Sequence, residues 1–471
     1  MNKFKPSNES QLFLLPPSIE DFVPEDHLAR VIDEVVETLD TKSIEDKYSE
    51  LGQKSYHPKS ILKLLFYGYS IGVMSGRKIA LQCESDTAFM FLARMYRPDF
   101  RTINDFRKNN LRQIENYFVD IVRLCKGLGM VKAGIIIIDS TKIRANASSD
   151  KMYNKEYYER LGMHVEEQIK DLLKQAEQAD AVEDAEHGDT RGDELPQELR
   201  SKKQLKEKIK QALAQLKDEK EKSNLTDPDA KIMKSRDVFR ANYCCQAAMS
   251  EDGIIVGAYA TTVSSDRAQL LTVIGESEKM SQNNFPVAVA DSGYSSYEVY
   301  KQAEQQDRTV FMPDQELIYQ QQQAINDKYH RLHFTYDEKN NQYICPEGKS
   351  LPYYNSYNKK KTNQKRSVYR GTKCHCCEVR QLCTSADQRQ ISIDVRDAYR
   401  LKARERLSTE IGQRMQKLRR CTIERLFGHI KHNLKFTMFQ LRRLNKVNSE
   451  FKLVCMAYNL RMLHKVKIAL I

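Results

Sequence analysis

Nowhere in these 471 residues is there an apolar run of the roughly 18–20 residues that a membrane-spanning helix needs. The opening stretch, MNKFKPSNESQLFLLPPS, has too short an apolar segment for a secretory signal. With no export signal, the eleven cysteines are expected in a reducing compartment, where metal binding or simple burial ranks ahead of disulfides. Cytoplasm is the expected location. The chain is also short of negative charge: 76 Lys and Arg against 64 Asp and Glu leave a formal net charge of +12. That excess favours a polyanionic partner, nucleic acid before membrane. The shortage is local. Residues 401–471 hold 17 basic and 4 acidic residues, whereas residues 162–200 hold 4 basic and 12 acidic ones.

What the sequence does have is a carboxylate at the polar end of a strongly apolar run, twice. IIIIDSTKI (Ile135–Ile143) runs four isoleucines into Asp139, and PVAVADSGYSS (Pro286–Ser296) ends an alternating Val/Ala run at Asp291. Four consecutive β-branched residues read as a strand buried on both faces. An aspartate at such a strand end is costly unless solvated, paired or metal-bound. Taken singly, each reads more often as a strand-end cap. Together they predict adjacent strand ends with carboxylates converging on a cation. A third acidic group is offered by Glu424 in RRCTIERLFGHIK (Arg419–Lys431). Ile423, Leu426, Phe427, Ile430 and Leu434 form an apolar stripe there, and about 100° per residue places Arg420, Glu424 and Lys431 close together on one helix face. A plain surface ion-pair ladder is the competing reading of that face.

The first 115 residues read as helical. A segment beginning at Pro58 (Ser60–Met74) has an apolar face and a serine suited to cap it. Ser75–Cys83 reads as a turn into a second helix, and Pro98–Phe118 as a turn into a third that Thr102 could cap. Short helices with tight turns and basic residues on the last resemble a helix-turn-helix reader, with a solvated bundle face as the alternative. Residues 151–223 are rich in Glu, Lys, Gln and Ala. There Leu205, Ile209, Leu213 and Leu216 line one helix side, predicting two long surface helices broken near Gly188–Pro196. Strands follow at Ala241–Ser250 and Ile254–Val263, joined by the hairpin signal Asp252-Gly253. Asp266 is expected to open a helix through Met280. The Asp291 strand, a helix over Tyr297–Gln305 and a strand over Thr309–Pro313 complete the alternation. From Asp314 to about Gln390 the sheet signal stops, and helices resume from Val395.

The expected fold class is therefore α/β, an RNase H-like mixed sheet with flanking helices. An all-α, helix-turn-helix-like domain (1–125) precedes it. The core comprises 131–150 and 224–313, interrupted by a charged helical insert (151–223). A cysteine-rich insert (314–394) follows, and basic helices (395–471) complete the core. Cys345, Cys374, Cys377 and Cys383, spaced C-x28-C-x2-C-x5-C, suit a closed structural Zn²⁺ site, with His375 as an alternative ligand. The competing reading is a reduced, metal-free cluster. Cys244 and Cys245 fall in a strand pattern and read as core.

The chain resembles the DDE transposases of bacterial insertion sequences over nearly its whole length. The N-terminal third is similar in PEDHLAR (Pro24–Arg30), YHPKSILKLLFYGY (Tyr56–Tyr69), SGRKI (Ser75–Ile79) and RPDFRTINDFR (Arg97–Arg107). The core is similar in IIIIDSTKIRANAS (Ile135–Ser148), TDPDA (Thr226–Ala230) and VADSGY (Val289–Tyr294). The family signature sets an Arg four residues before the catalytic Glu and a Lys seven after; Arg420 and Lys431 stand there. A tyrosine common seven residues before the Glu is replaced by Lys417, which leaves that tyrosine's role unassigned. The resemblance implies a catalytic triad of Asp139, Asp291 and Glu424, with Asp266 a minor alternative to Asp291 and Asp229 another acid near the site. It also implies two Mg²⁺ serving DNA cleavage and strand transfer. The family's insert carries similar cysteines, which adds to the zinc reading. Double-stranded DNA, as element ends and target, is the implied partner. Arg77, Lys78, Arg101, Arg107, Lys142, Arg144, Arg420 and Lys431 are the candidate contacts, and a homodimer is the implied synaptic form, nucleoid-associated in the cytoplasm. The alternative is a catalytically inactive or repurposed sequence-specific DNA-binding protein. A nuclease that cuts without strand transfer is a third reading.

Overall fold

A computed structural model describes residues 18–49, 54–187, 197–216, 218–219, 221–235, 238–314, 318–319, 322–323, 325–359 and 364–470. Helices fill the first part: α1 (Leu28–Thr38), α2 (Lys42–Glu45), α3 (Pro58–Ile71), α4 (Gly76–Ser85), α5 (Thr87–Leu92), α6 (Phe100–Asn109) and α7 (Leu111–Gly127). The segment expected to begin at Pro58 does so, but its cap is not a serine. Pro58 occupies the first turn, where its missing N–H costs nothing, and His57 Nδ1 accepts from the Lys59 N–H at 3.2 Å, so His57 is the cap. Every residue from Ile61 to Ser70 is buried, so α3 is a central helix enclosed on all sides. The single third helix expected over 98–118 is two. At Asn110 the backbone leaves the helical region (φ −119°, ψ 27°), and its side-chain amide donates to Phe106 O at 2.9 Å. Asparagine competes for backbone partners in this way and breaks helices. Asp99, not Thr102, caps α6 by accepting from the Arg101 N–H at 2.6 Å.

The main sheet contains β1 (Ile135–Arg144), β2 (Lys231–Ser235), β3 (Val238–Ser250), β4 (Ile255–Thr261), β5 (Val287–Ala290) and β6 (Thr309–Phe311). Its order is β2-β3-β1-β5-β6, with β4 also paired to β3. The long β3 runs antiparallel to β1, and its other edge is shared by β2 along residues 238–242 and by β4 along 244–249. Strands β5 and β6 run parallel to β1 and β5 respectively. The Asp252-Gly253 hairpin forms, Gly253 taking the left-handed φ of 85° that the turn needs. After β1 the insert rises as two helices, α8 (Lys155–His187) and α9 (Gln197–Gln215). They share their own small core of Tyr158, Val165, Ile169, Leu199, Ile209, Ala212 and Leu216. The predicted break at 188–196 lies outside the described residues. Helix α10 (Leu270–Ser281) starts four residues later than expected, so Asp266 stands in the preceding turn rather than at the helix cap. Helix α11 (Tyr297–Gln305) matches its prediction.

Between 335 and 394 the chain forms a second sheet where none was expected. Strands β7 (Thr335–Asp337), β8 (Gln342–Ile344), β9 (Ser350–Lys359), β10 (Gln364–Arg370) and β11 (Gln390–Asp394) make an antiparallel sheet in the order β11-β10-β9-β8-β7. Among the described residues its small core is Phe334, Leu351, Tyr369 and Ile391, with Tyr343, Cys345, Cys383 and Ile393 packed against it. Tyr336, Tyr353, Tyr354 and Tyr357 remain exposed, so little alternation of apolar and polar residues marks these strands. A short helix, α12 (Arg380–Cys383), precedes β11.

The C-terminal helices are α13 (Asp397–Ser408), α14 (Glu410–Cys421), α15 (Ile423–Gly428) and α16 (Leu444–Leu470), with a π-helical turn over His429–Asn433. Helix α16 packs on α3, α7 and β4, so one hydrophobic core runs from Val23 through the sheet to Leu463. Its amides also close the sheet edge. The Asn459 side chain accepts from Ile255 N and donates to Ile255 O, both at 2.9 Å, and Asn448 Oδ1 accepts from the Ala260 N–H at 3.0 Å. These bonds take the place of a missing neighbour strand on β4. No helix among the described residues is long and apolar enough to cross a membrane.

Candidate active site

Strands β1 and β5 set the first two carboxylates side by side. Their parallel register pairs Ile138 with Ala290, so Asp139 and Asp291 each follow at the same end of neighbouring strands. Glu424 arrives from α15 in the C-terminal region. All three meet one guanidinium: Arg419 Nη1 lies 3.3 Å from Asp139 Oδ2, and Nη2 lies 3.8 Å from Asp291 Oδ1 and 2.9 Å from Glu424 Oε1. The Asp139 side chain is 18% exposed, against 48% for Asp291 and 45% for Glu424, so the cluster is closed beneath Asp139 and open above.

Arg419 was not legible in the sequence, and the reason is a helix break. In one continuous helix, a residue five positions before Glu424 would point about 140° away from it. At Thr422 the backbone departs from the helix (φ −110°, ψ −83°). The Thr422 hydroxyl donates to Leu418 O at 2.7 Å, a back-bond of the kind that bends helices. The break between α14 and α15 swings Arg419 over Glu424. Arg420, expected on that face, is exposed and separated from Glu424 by the Thr422 break, and the π turn shifts Lys431 out of the ideal phase. The single-face arrangement of Arg420, Glu424 and Lys431 is therefore corrected.

Behind the cluster sits a fourth carboxylate. Asp266 Oδ2 accepts from Ser140 Oγ at 2.8 Å, and Oδ1 accepts from Gln246 Nε2 at 2.6 Å. The Tyr294 hydroxyl donates in turn to Gln246 Oε1, while the Ser140 N–H donates to Asp139 Oδ1 at 2.7 Å. Burial pushes the Asp139 carboxyl up to about 7. The Ser140 N–H and Arg419 oppose that rise, and the Asp291 and Asp266 charges add to it. Asp266 thus supports Asp139 through Ser140, whereas Asp229 is drawn off to another task. Asp229 Oδ2 accepts from the Leu444 N–H at 2.8 Å at the start of α16, and the buried Asp227 accepts from Tyr243 Oη and Arg443 N. The TDPDA motif seats the last helix.

Among the candidate DNA contacts, Arg77, Lys78, Arg101, Arg144 and Arg420 are exposed, and Lys142 and Lys431 are half-buried. Arg77 and Arg101 both lie over the Phe100 ring, at 4.9 and 5.7 Å from its centroid. Arg107 does not belong with them. It is 6% exposed, and its Nη1 donates to Tyr69 Oη at 2.8 Å and Met74 O at 3.2 Å. Amphipathic spacing puts it on the basic face, but Tyr69 of α3, Met74 and Asn104 close around its guanidinium.

The eleven cysteines are all free thiols, five of them buried, Cys244 and Cys245 included. Among the described residues no group of three or more His, Cys, Asp or Glu side chains is gathered as a metal-ligand set. The zinc expectation at Cys345, Cys374, Cys377 and Cys383 finds no support there, and Cys345 and Cys383 pack against the small apolar core of the second sheet. His375 is exposed. The strand-end carboxylates are not gathered as a ligand set either, but they are hard oxygen donors grouped around one guanidinium. That donor chemistry fits Mg²⁺.

Two family models match the chain. "Transposase domain (DUF772)" covers residues 17–109, the helices through α6. "Transposase DDE domain" covers residues 344–464, which include Arg419, Glu424 and most of α16. No curated protein matches, and no solved structure matches. Both ends of the chain are thus similar to transposase domains, in the order that its motifs follow, which is consistent with a DDE transposase of an insertion sequence.

Proposed function

We propose that the protein is a DNA transposase that cleaves and joins DNA at a triad of Asp139, Asp291 and Glu424. One observation carries the reading: carboxylates separated by 152 and 133 residues in sequence meet at a single guanidinium beside two parallel strand ends. The sheet supports an RNase H-like core, with the first aspartate on the first strand, the second on its parallel neighbour and the glutamate on a later helix. Divalent magnesium held by these three carboxylates would activate the attacking oxygen and stabilise the leaving one.

The chain's own residues do the positioning. The Ser140 N–H holds Asp139 Oδ1 and leaves Oδ2 facing the centre, and the Asp266–Gln246–Tyr294 chain fixes Ser140 from behind. Lys142, Arg144, Arg420 and Lys431 grip phosphates around the site, and Arg77, Lys78 and Arg101 hold duplex further out. Such contacts fix register and carry little sequence information. Holding two element ends calls for two copies, so a homodimer belongs to the same reading.

Asp139→Asn, Asp291→Asn and Glu424→Gln should each reduce cleavage of duplexes bearing the element's ends by at least about a thousandfold, with end binding within a few-fold of wild type. Wild-type cleavage by any of the three variants would remove that residue from the triad.

A further inference from the structure

Arg419 stands where a cation would be held. Its side chain is 12% exposed, and its guanidinium reaches oxygens of all three carboxylates at 2.9, 3.3 and 3.8 Å. We propose that Arg419 is a built-in counter-cation, which holds the carboxylate centre together before metal enters and competes with the metal for it. This rests on the reading of Asp139, Asp291 and Glu424 as metal ligands.

Three carboxylates facing one another repel unless positive charge sits among them. Arginine supplies a charge that cannot be removed by deprotonation, on a fork whose Nη1 reaches Asp139 and whose Nη2 reaches Asp291 and Glu424. A divalent ion among the same oxygens would lie within a few ångströms of that guanidinium, and the like charges would repel strongly in this half-closed setting. The two cations therefore exclude each other or weaken each other's hold. The present seat is also imperfect for arginine, because the buried Arg419 Nε–H has no hydrogen-bond partner. An unmet buried donor favours release once another cation takes over the carboxylates. Arg419 is thus a positioning residue, acting through the triad, and its contacts come from the break at Thr422 that brings α14 and α15 together.

The test is metal binding by the full-length, chelator-stripped protein without DNA, following free Mn²⁺ by electron paramagnetic resonance. Arg419→Gln should bind Mn²⁺ at least about tenfold more tightly than wild type, and Arg419→Lys, which keeps the charge on a different reach, should fall between them. Without metal Arg419→Gln should melt lower than wild type, and saturating Mn²⁺ should raise its melting temperature more than that of wild type. Equal or weaker Mn²⁺ affinity in Arg419→Gln, with binding lost on adding Asp139→Asn, would overturn the counter-cation and leave the metal reading standing. Binding that survives Asp139→Asn in both backgrounds would overturn the metal reading itself. If Arg419→Gln does not fold, Arg419→Lys decides: affinity no higher than that of wild type overturns the proposal.

Discussion

Asp139 is costly to keep ionised in the metal-free chain. Its carboxyl is raised from the ordinary value of 3.8 to about 7, first by burial. The folded state therefore holds a proton that the unfolded state has already released, so stability falls as pH rises from about 4 to about 7 and stays reduced above that. Asn cannot ionise and keeps the oxygen that accepts from the Ser140 N–H. Asp139→Asn should stabilise the metal-free protein on the order of 2–4 kcal/mol at pH 8 and much less at pH 4, read by urea unfolding in the presence of chelator. A pH-independent difference would show that this carboxylate is not the strained group. The basic residues divide at the same scale. Arg77→Gln and Arg101→Gln should each lower the salt slope of duplex binding by about 0.9, as one lost phosphate contact does. Arg107→Gln should leave that slope alone and lower the melting temperature, because its guanidinium is tied to Tyr69 and Met74 inside the core.

At the scale of elements, α16 is fastened to both halves of the chain by one fully buried carboxylate. Glu450 accepts from Tyr69 Oη on α3 at 3.0 Å, from Gln440 N and from Leu441 N at 2.9 Å. Glu450→Ala would leave one buried and two partly buried donors without that acceptor and should destabilise by about 2–4 kcal/mol. Glu450→Gln retains an acceptor oxygen and should cost less. Denaturant midpoints of the two variants check this, and equal losses would argue for packing over hydrogen bonding. The breaks at Asn110 and Thr422 belong to this scale too. Each sits inside a convincing helical pattern, and in each a short polar side chain bonds back to a carbonyl four residues earlier. At Thr422 that bend changes which arginine enters the site.

Across the whole molecule, the N-terminal helices and the site share a core, while the two inserts carry cores of their own. Removing residues 1–127 would strip α3 and α7 from α16 and bare its side at Ser449, Lys452 and Ala457, which Glu115 and Ser70 meet in the whole chain. The remainder should be insoluble or lack a cooperative transition on heating. Replacing 156–221 with a short linker should behave differently. The Tyr153–Ser223 bridge closes the base of that hairpin, and its core of seven buried residues is separate. This shortened protein should unfold cooperatively near the wild-type temperature; loss of the transition would show that α8 and α9 support the sheet.

The sequence by itself determined the strands that carry Asp139 and Asp291, the hairpin at Gly253, the helical insert and the helix over Tyr297–Gln305. These rest on local signals, namely β-branched runs, turn residues and apolar periodicity, and local signals survive in a linear reading. It also singled out Glu424, first through its setting on an apolar-striped basic helix and then through likeness to a family motif. The tertiary structure decided what needs long-range partners. The second sheet arises from cross-strand pairing with almost no apolar alternation to announce it. Arg107 is buried because separate helices close over it, and Asp229 serves the first turn of α16 because the chain returns there 215 residues later. Arg419 reaches the carboxylates only because a helix breaks at Thr422. Side-chain direction at a break depends on backbone angles set by packing, and no residue-by-residue periodicity contains them.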